Sequence, residues 1–312
     1  MKKIDALIEK IAEMKNPTVA GLDTRLEYLP ESFLSEVKPE GVKTFEDAAE
    51  AIYAYNVRLV DALCDIVPAV KVQAAYYEMY GPAGVKCFED TMAYAASRGM
   101  LVMADAKRND IGATASAYAA AYLGETAVGE RKLTAYSADF LTVNGYLGVD
   151  GVKPFVDVES VKGGGIFVLV KTSNPSSGQL QDMKLEDGRT VYEAMADLVK
   201  EWGAEAMGER GYSSVGAVVG ATYPQQGAAL RVRMPHTFFL VPGYGAQGAT
   251  GADLAGCFDE HGSGAIVNAS RSILCAWKKR EGMAFDAAAR EEAIRMREDI
   301  AAGLAAAGKS IR

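Results

Sequence analysis

The chain has 312 residues, 49% of them hydrophobic and 24% charged, which is ordinary globular material with enough length for one large α/β domain or two smaller ones. A formal net charge of −8 argues against a general nucleic-acid partner, which calls for a basic face, though a local cationic pocket for a small anion is allowed. No apolar run is long enough to span a membrane.

In chain order, the first element is an amphipathic helix over Met1 to Lys15, too interrupted by charge to be a signal peptide. Short apolar, β-rich runs then recur at Thr18 to Asp23, Ala69 to Ala75, Leu101 to Lys107, Phe140 to Tyr146, Gly165 to Ser173, Val215 to Thr222, Phe238 to Tyr244 and Ala265 to Arg271. Helical spacing fills Phe45 to Asp65, Pro82 to Arg98, Gly112 to Leu123 and Val191 to Trp202 between them. The connection from Ala120 to Asp139 and the segment between the sixth and seventh runs carry no clear period. Near-continuous apolar strands alternating with helices imply a parallel sheet buried on both faces. Eight such units predict an α/β fold of the (β/α)8 TIM barrel type, a single domain over residues 1–312 with an N-terminal helix and a C-terminal helical segment. The run Lys162-Gly163-Gly164-Gly165 precedes the fifth strand and reads as a turn on the face that serves stability. Cys64, Cys87, Cys257 and Cys275 show no Cys-x-x-Cys spacing, and with only His236 and His261 no zinc cluster is assembled. Free thiols in a reducing cytoplasm are the expectation.

The register makes the polar residues informative. Asp23, Lys71, Asp105, Lys107, Asn144, Thr172, Ser173, Thr222 and Arg271 fall at C-terminal strand ends, with Gln247 just past the seventh strand. In this architecture the active site lies on that face. The densest group is Asp105-Ala106-Lys107-Arg108-Asn109-Asp110, followed by Ile111 and Thr114 at the start of a helix. Residues two apart on a strand share a face, so Asp105 and Lys107 point the same way, while the turn carries Asp110 elsewhere and Thr114, four residues on, can sit near it. Taken alone, Asp-x-Lys-x-x-Asp is a strand-end ion pair with a polar turn. Two acids and two lysines at one barrel mouth are harder to explain that way, because clustered charges need each other or a ligand to offset their desolvation.

The segment Gly243-Tyr244-Gly245-Ala246-Gln247-Gly248 matches a Gly-x-Gly-x-x-Gly dinucleotide fingerprint only superficially. Six strands precede it, and the following strand ends in Arg271 rather than in an acid for a ribose. The loops after strands seven and eight of a barrel are a frequent phosphate site, and Gly245, Gly248, Gln247 and Arg271 fit that role.

Together these residues resemble the orotidine 5′-phosphate decarboxylase family over nearly the whole chain. Asp105 to Thr114 carries the most specific likeness, supported by Gly21-Leu22-Asp23, Val70-Lys71-Val72, Thr172-Ser173-Asn174-Pro175 and the segments ending at Gln247 and Arg271. The run Asn174 to Asp182 and the chain length resemble the longer subfamily. The resemblance implies a Lys-Asp-Lys-Asp array on Lys71, Asp105, Lys107 and Asp110 that converts orotidine 5′-monophosphate to uridine 5′-monophosphate with no metal and no organic cofactor. Lys107 would stabilise the ring carbanion and then protonate it, and Asp105 would lie close to the substrate carboxylate. Asp23 would touch the ribose, Ser173 the pyrimidine edge, and Gln247 and Arg271 the phosphate. It implies a cytoplasmic homodimer with shared active sites, Asp110, Ile111 and Thr114 entering the neighbouring subunit's site. Ser270 stands before Arg271 where shorter relatives often have glycine. Two alternatives stay open: a related barrel acting on sugar phosphates through a metal-stabilised enediolate, and a catalytically silent nucleotide-binding scaffold.

Overall fold

The computed structural model describes residues 1–245 and 248–311, with the helical backbone alone described at 159–161. Strands β1 (Thr18–Leu22), β2 (Ala69–Gln73) and β3 (Leu101–Arg108) are followed by a short exposed hairpin, β4 (Thr126–Val128) and β5 (Arg131–Leu133). Strands β6 (Phe140–Val143), β7 (Gly165–Lys171), β8 (Ser213–Val219), β9 (Thr237–Pro242) and β10 (Ala265–Ala269) complete the set. Eight of them close in the order β1-β2-β3-β6-β7-β8-β9-β10, every neighbouring pair parallel. The expected (β/α)8 TIM barrel is therefore present.

Its strands are buried on both faces, which is why they read as apolar runs rather than as alternation. One face packs against the surrounding helices in a continuous core. The other fills the barrel, where Val19, Leu101, Met103, Phe140, Phe167, Phe238 and Ile266 meet Ile4, Leu7 and Ile11 of the N-terminal helix Lys3–Met14. That helix closes the end of the barrel opposite the C-terminal strand ends, and its Lys3 N–H donates to the Gly163 carbonyl (2.7 Å), so the triple-glycine turn does lie on the closed face. Polar side chains can then gather only at the open end.

The helices Gly112–Leu123 and Val191–Trp202 match their expected bounds, and Phe45–Leu63 and Gly81–Ser97 differ by a residue or two at their ends. Capping boxes at Thr44/Asp47 and Thr190/Glu193 fix two of the starts, each satisfying backbone donors that the first turn leaves open. The C-terminal helical segment is one long helix, Phe285–Ala306. The two segments without a clear period are now assigned. Ala120 to Asp139 contains the β4–β5 hairpin, outside the barrel, and the other segment holds the helix Pro224–Arg233, which buries only Gly227, Leu230 and Arg231 and so shows little apolar spacing. Strands expected to reach Tyr146, Ser173 and Thr222 stop earlier, because Asn144 caps a 3-10 turn through Tyr146 N–H (3.0 Å) and the chain turns at Thr172 and at Gly220. No described helix is long and apolar enough to cross a membrane.

Candidate active site

The open end of the barrel holds a cavity of about 680 Å³ whose lining divides by chemistry. Lys71, Gln73, Asp105, Lys107 and Thr142 stand on one side, and Leu169, Val218, Leu240 and Pro242 on the other. The cavity thus presents one charged wall and one apolar wall.

Asp105, near the end of β3, sits at the centre of the charged wall and is 6% exposed. Its Oδ2 accepts from Lys71 Nζ (2.7 Å) and Gln73 Nε2 (3.0 Å), and its Oδ1 accepts from Lys107 Nζ (2.7 Å) and Thr142 Oγ1 (2.8 Å). Burial alone would push this carboxyl up, but the ammoniums of Lys71 and Lys107 outweigh it and hold it well below the usual carboxylate range. Lys71 is likewise buried. Desolvation opposes its charge, yet Asp105 and Asp23, the latter 3.3 Å from Nζ, raise its affinity for the proton. Both groups are therefore charged at neutral pH inside a largely dry wall.

Lys107 is delivered by an irregularity. It has φ +49°, in the left-handed region, and the β3–β6 register shifts between Ala104 and Arg108. A side chain held there stores roughly 1–3 kcal/mol of backbone strain. Two bonds hold it: its N–H donates to Thr142 Oγ1 (3.0 Å), and its ammonium meets Asp105. The expected shared orientation of Asp105 and Lys107 is realised, but on a bulged rather than a regular strand.

Asp23 and Ser173 also line the cavity, and Arg271 lies at its far end. Gly21 makes room there: a Cβ on it would stand 1.9 Å from Ser270 Oγ, so the approach of β1 to the residue before Arg271 requires glycine. Asp110, Ile111 and Thr114 are not in this cavity. The Asp110 carboxylate accepts from the N–H of Ile111 (2.8 Å), and Ile111 is 54% exposed. The expected closeness of Thr114 to Asp110 gives no hydrogen bond among the described contacts. Gln247 lies outside the described residues. Gly245 and Gly248 do have left-handed backbones, φ +67° and +91°, but their N–H groups are engaged within the loop, Gly245 with the Ala249 carbonyl (3.0 Å) and Gly248 with that of Gly245 (3.1 Å). Both donors, expected from the sequence to meet a phosphate, are thus engaged within the loop here. Asn144 and Thr222 serve a cap and a contact to the Ser173 carbonyl (3.3 Å) rather than the cavity wall.

Sequence reasoning missed four residues. Gln73 and Thr142 complete the shell of Asp105, and the signal was a polar side chain inside an apolar strand. Asn268, in β10, lines the cavity with a buried Oδ1 that has no hydrogen-bond partner. Lys171 is 1% exposed and lies outside the cavity lining, its ammonium bonded to Asp182 (2.7 Å) and Ser177 (3.3 Å) and set over the rings of Tyr192 and Tyr223. It ties the segment that begins with Thr172 and Ser173 back to the barrel wall.

The comparisons with known proteins agree with this geometry. Residues 28–284 match the model of the "Orotidine 5′-phosphate decarboxylase / HUMPS family". The chain belongs to that family. Among curated proteins it is similar to orotidine 5′-phosphate decarboxylase of Rhodopirellula baltica, 45% identical over 279 residues, covering 89% of this chain and 90% of the relative. The enzyme of the same name from Caldicellulosiruptor saccharolyticus is 42% identical over 275 residues, with 88% and 90% covered. Among solved structures, OMP decarboxylase of Leishmania donovani superposes with a TM-score of 0.75 at 30% identity, covering 97% of this chain and 99% of that one. The chain is thus an enzyme of a carboxy-lyase family.

The Lys171 anchor has a measurable consequence. Lys171→Met keeps the bulk of the side chain and removes a charged hydrogen bond of about 1.5–3 kcal/mol, so amide hydrogen exchange within Thr172–Asp182 is expected to accelerate by about tenfold or more while the β2 and β3 amides keep their rates. Unchanged exchange in that segment would show that the ion pair does not hold it.

Proposed function

We propose that this family member decarboxylates orotidine 5′-monophosphate to uridine 5′-monophosphate in pyrimidine synthesis, through a ring carbanion that Lys107 stabilises and then protonates, without a metal or an organic cofactor. The observation that carries this reading is an ionised, buried Asp105 bracketed by two ammoniums on the wall of a ring-sized cavity. Loss of carbon dioxide leaves an electron pair in the ring plane that no adjacent carbonyl delocalises, and a fixed ammonium facing it lowers its energy. Lys107 then supplies the proton that replaces the carboxylate. Asp105 beside the departing carboxylate adds repulsion that disappears as neutral carbon dioxide forms. Lys71, tied to Asp105 and Asp23, keeps the acids in place. In this reading Asp23 meets the ribose, Ser173 the pyrimidine edge, and Arg271 with Gln247 the phosphate, with Gly245 and Gly248 joining only if the loop reopens around it. Phosphate binding energy then helps force the charged ring against Asp105.

A metal-dependent reaction at the same mouth would have to recruit Asp23 and Asp105, and both are already committed to lysines. Residues 1–312 are read as one barrel domain of a cytoplasmic enzyme. We also read it as a homodimer with shared sites. Asp110 finds no lysine in its own chain among the described contacts, and it adjoins an exposed apolar surface. Ile111, Tyr146, Leu147 and Val149 are all exposed, Tyr146 by 75%, and a Cβ on Gly151 would lie 3.3 Å from the Asp110 carbonyl oxygen, which brings the two segments side by side.

Purified protein should convert orotidine 5′-monophosphate at a rate that a chelator does not change, and Lys107→Ala should nearly abolish turnover while product still binds. Activity lost to the chelator and restored by magnesium would move the protein to the sugar-phosphate alternative, and substantial turnover by the variant would remove Lys107 from its role.

Sharing of the site is tested by mixing. When inactive Lys107→Ala and inactive Asp110→Ala proteins exchange subunits at random, half the dimers are hybrids with one intact site each, so about a quarter of wild-type activity should return. No recovery after demonstrated exchange would place Asp110 in its own subunit's site.

A further inference from the structure

A second cavity of about 640 Å³ adjoins the first, and the two share Tyr28 and Arg271 as a common wall. Gly245, on the loop after β9, lies on its rim. Arg25, Arg271, Lys278, Lys279, Arg280 and Arg295 line it, against one lining acid, Glu292. That density of positive charge is unusual in a chain of net charge −8.

Neighbouring acids answer only part of it. Glu27 pairs with Arg25, Glu291 with Arg280 (3.2 Å), and Glu292 with both Arg280 (3.1 Å) and Arg295 (2.7 Å). Lys278 donates to the Glu27 carbonyl (3.2 Å), a neutral acceptor. Among the described residues, Arg271, Lys278 and Lys279 have no carboxylate partner, and the three fall within nine residues of one another on a rigid corner. The Trp277 indole N–H donates to the Tyr28 carbonyl (3.0 Å), which holds the Ala276–Lys279 turn against the loop that follows β1. Three uncompensated cations grouped in a concave wall raise one another's energy unless an anion joins them.

We propose that this second cavity is a subsite for a diphosphate group, which bridges from Arg271 on the shared wall to Lys278 and Lys279. The proposal rests on the reading of Arg271 as the phosphate contact of the barrel mouth. A nucleotide seated there with its ring among Lys71, Asp105 and Lys107 directs its 5′-phosphate to the seam between the cavities. A second phosphate attached to the first has the cationic cavity as its nearest space. Nucleoside 5′-diphosphates would then compete for the mouth more strongly than the monophosphate product, and free pyrophosphate more strongly than phosphate.

The test is calorimetric titration of the wild-type protein, at fixed ionic strength, with inorganic phosphate, pyrophosphate, uridine 5′-monophosphate and uridine 5′-diphosphate. It is repeated on the double variant Lys278→Gln, Lys279→Gln, whose positions are outside the substrate cavity. The diphosphate is expected to bind about tenfold tighter than the monophosphate, the size of one added charged hydrogen bond. The double variant should erase that gain while keeping the monophosphate affinity. A gain for pyrophosphate without one for the nucleotide would assign the cavity to the free anion. Equal or weaker binding of both diphosphates, or a double variant that loses monophosphate and diphosphate alike, would overturn the subsite. A wild-type protein with no affinity for the monophosphate would instead overturn the reading of the barrel mouth, and the subsite with it.

Discussion

The carboxylate of Asp105, held between the ammoniums of Lys71 and Lys107, is the interaction on which the site is built. It is nearly inaccessible to water and takes four hydrogen bonds, two of them from cations. Removing Asp105 would leave buried Lys71 with only the longer contact to Asp23, and breaking a buried ion pair typically costs about 3–5 kcal/mol. The array is therefore self-supporting in the free protein. It needs no ligand to stay charged, and in the proposed reaction a substrate carboxylate beside Asp105 would meet an acid that cannot readily escape repulsion by taking up a proton.

The barrel makes that arrangement possible by dividing its two ends. The N-terminal helix fills the closed end with Ile4, Leu7 and Ile11, so the inward positions near it are apolar, and polar side chains collect where β2, β3, β6 and β10 end. Neighbouring parallel strands place Lys71 opposite Met103 and Gln73 opposite Asp105, and this register brings the two lysines to either side of one carboxylate. The bulge at Lys107 then turns its ammonium back toward Asp105 at the expense of a left-handed backbone. Strain of this kind is sustained only where surrounding bonds over-determine it, and Thr142 serves both the Lys107 N–H and the Asp105 carboxylate.

Much of this was legible in the sequence because it depends on local pattern. Eight apolar runs with intervening helical periods located all eight barrel strands, and residues two apart in β3 put Asp105 and Lys107 together. What was not legible depends on tertiary context. The helix Pro224–Arg233 has too small a buried face to show a period, and the β4–β5 hairpin lies outside the barrel repeat. Gln73, Thr142 and Asn268 looked like isolated polar residues until strand pairing set them around one cavity. Lys171, one residue before the Thr172-Ser173 segment, turns outward at a shift in β7–β8 register that no alternation rule anticipates. The glycines after β9 were legible as a candidate phosphate loop, but whether their N–H groups face a ligand or the loop itself is decided by hydrogen bonds that spacing does not encode.

The site depends on Asp105 being ionised in the free protein, and linkage fixes the sign of the effect on stability. A carboxyl whose folded-state affinity for the proton is depressed contributes stability that is fully present above its unfolded value and is lost as pH falls through the folded one. Isotope-edited infrared titration, taken as the difference between wild type and Asp105→Asn, follows that one carboxylate directly. The carboxylate band is expected to persist below the ordinary aspartate value of about 3.9 for as long as the fold survives acid. A protonation midpoint at or above that value would contradict it, because Asp105 would then be a neutral acid in the pH range where it is assigned a charge.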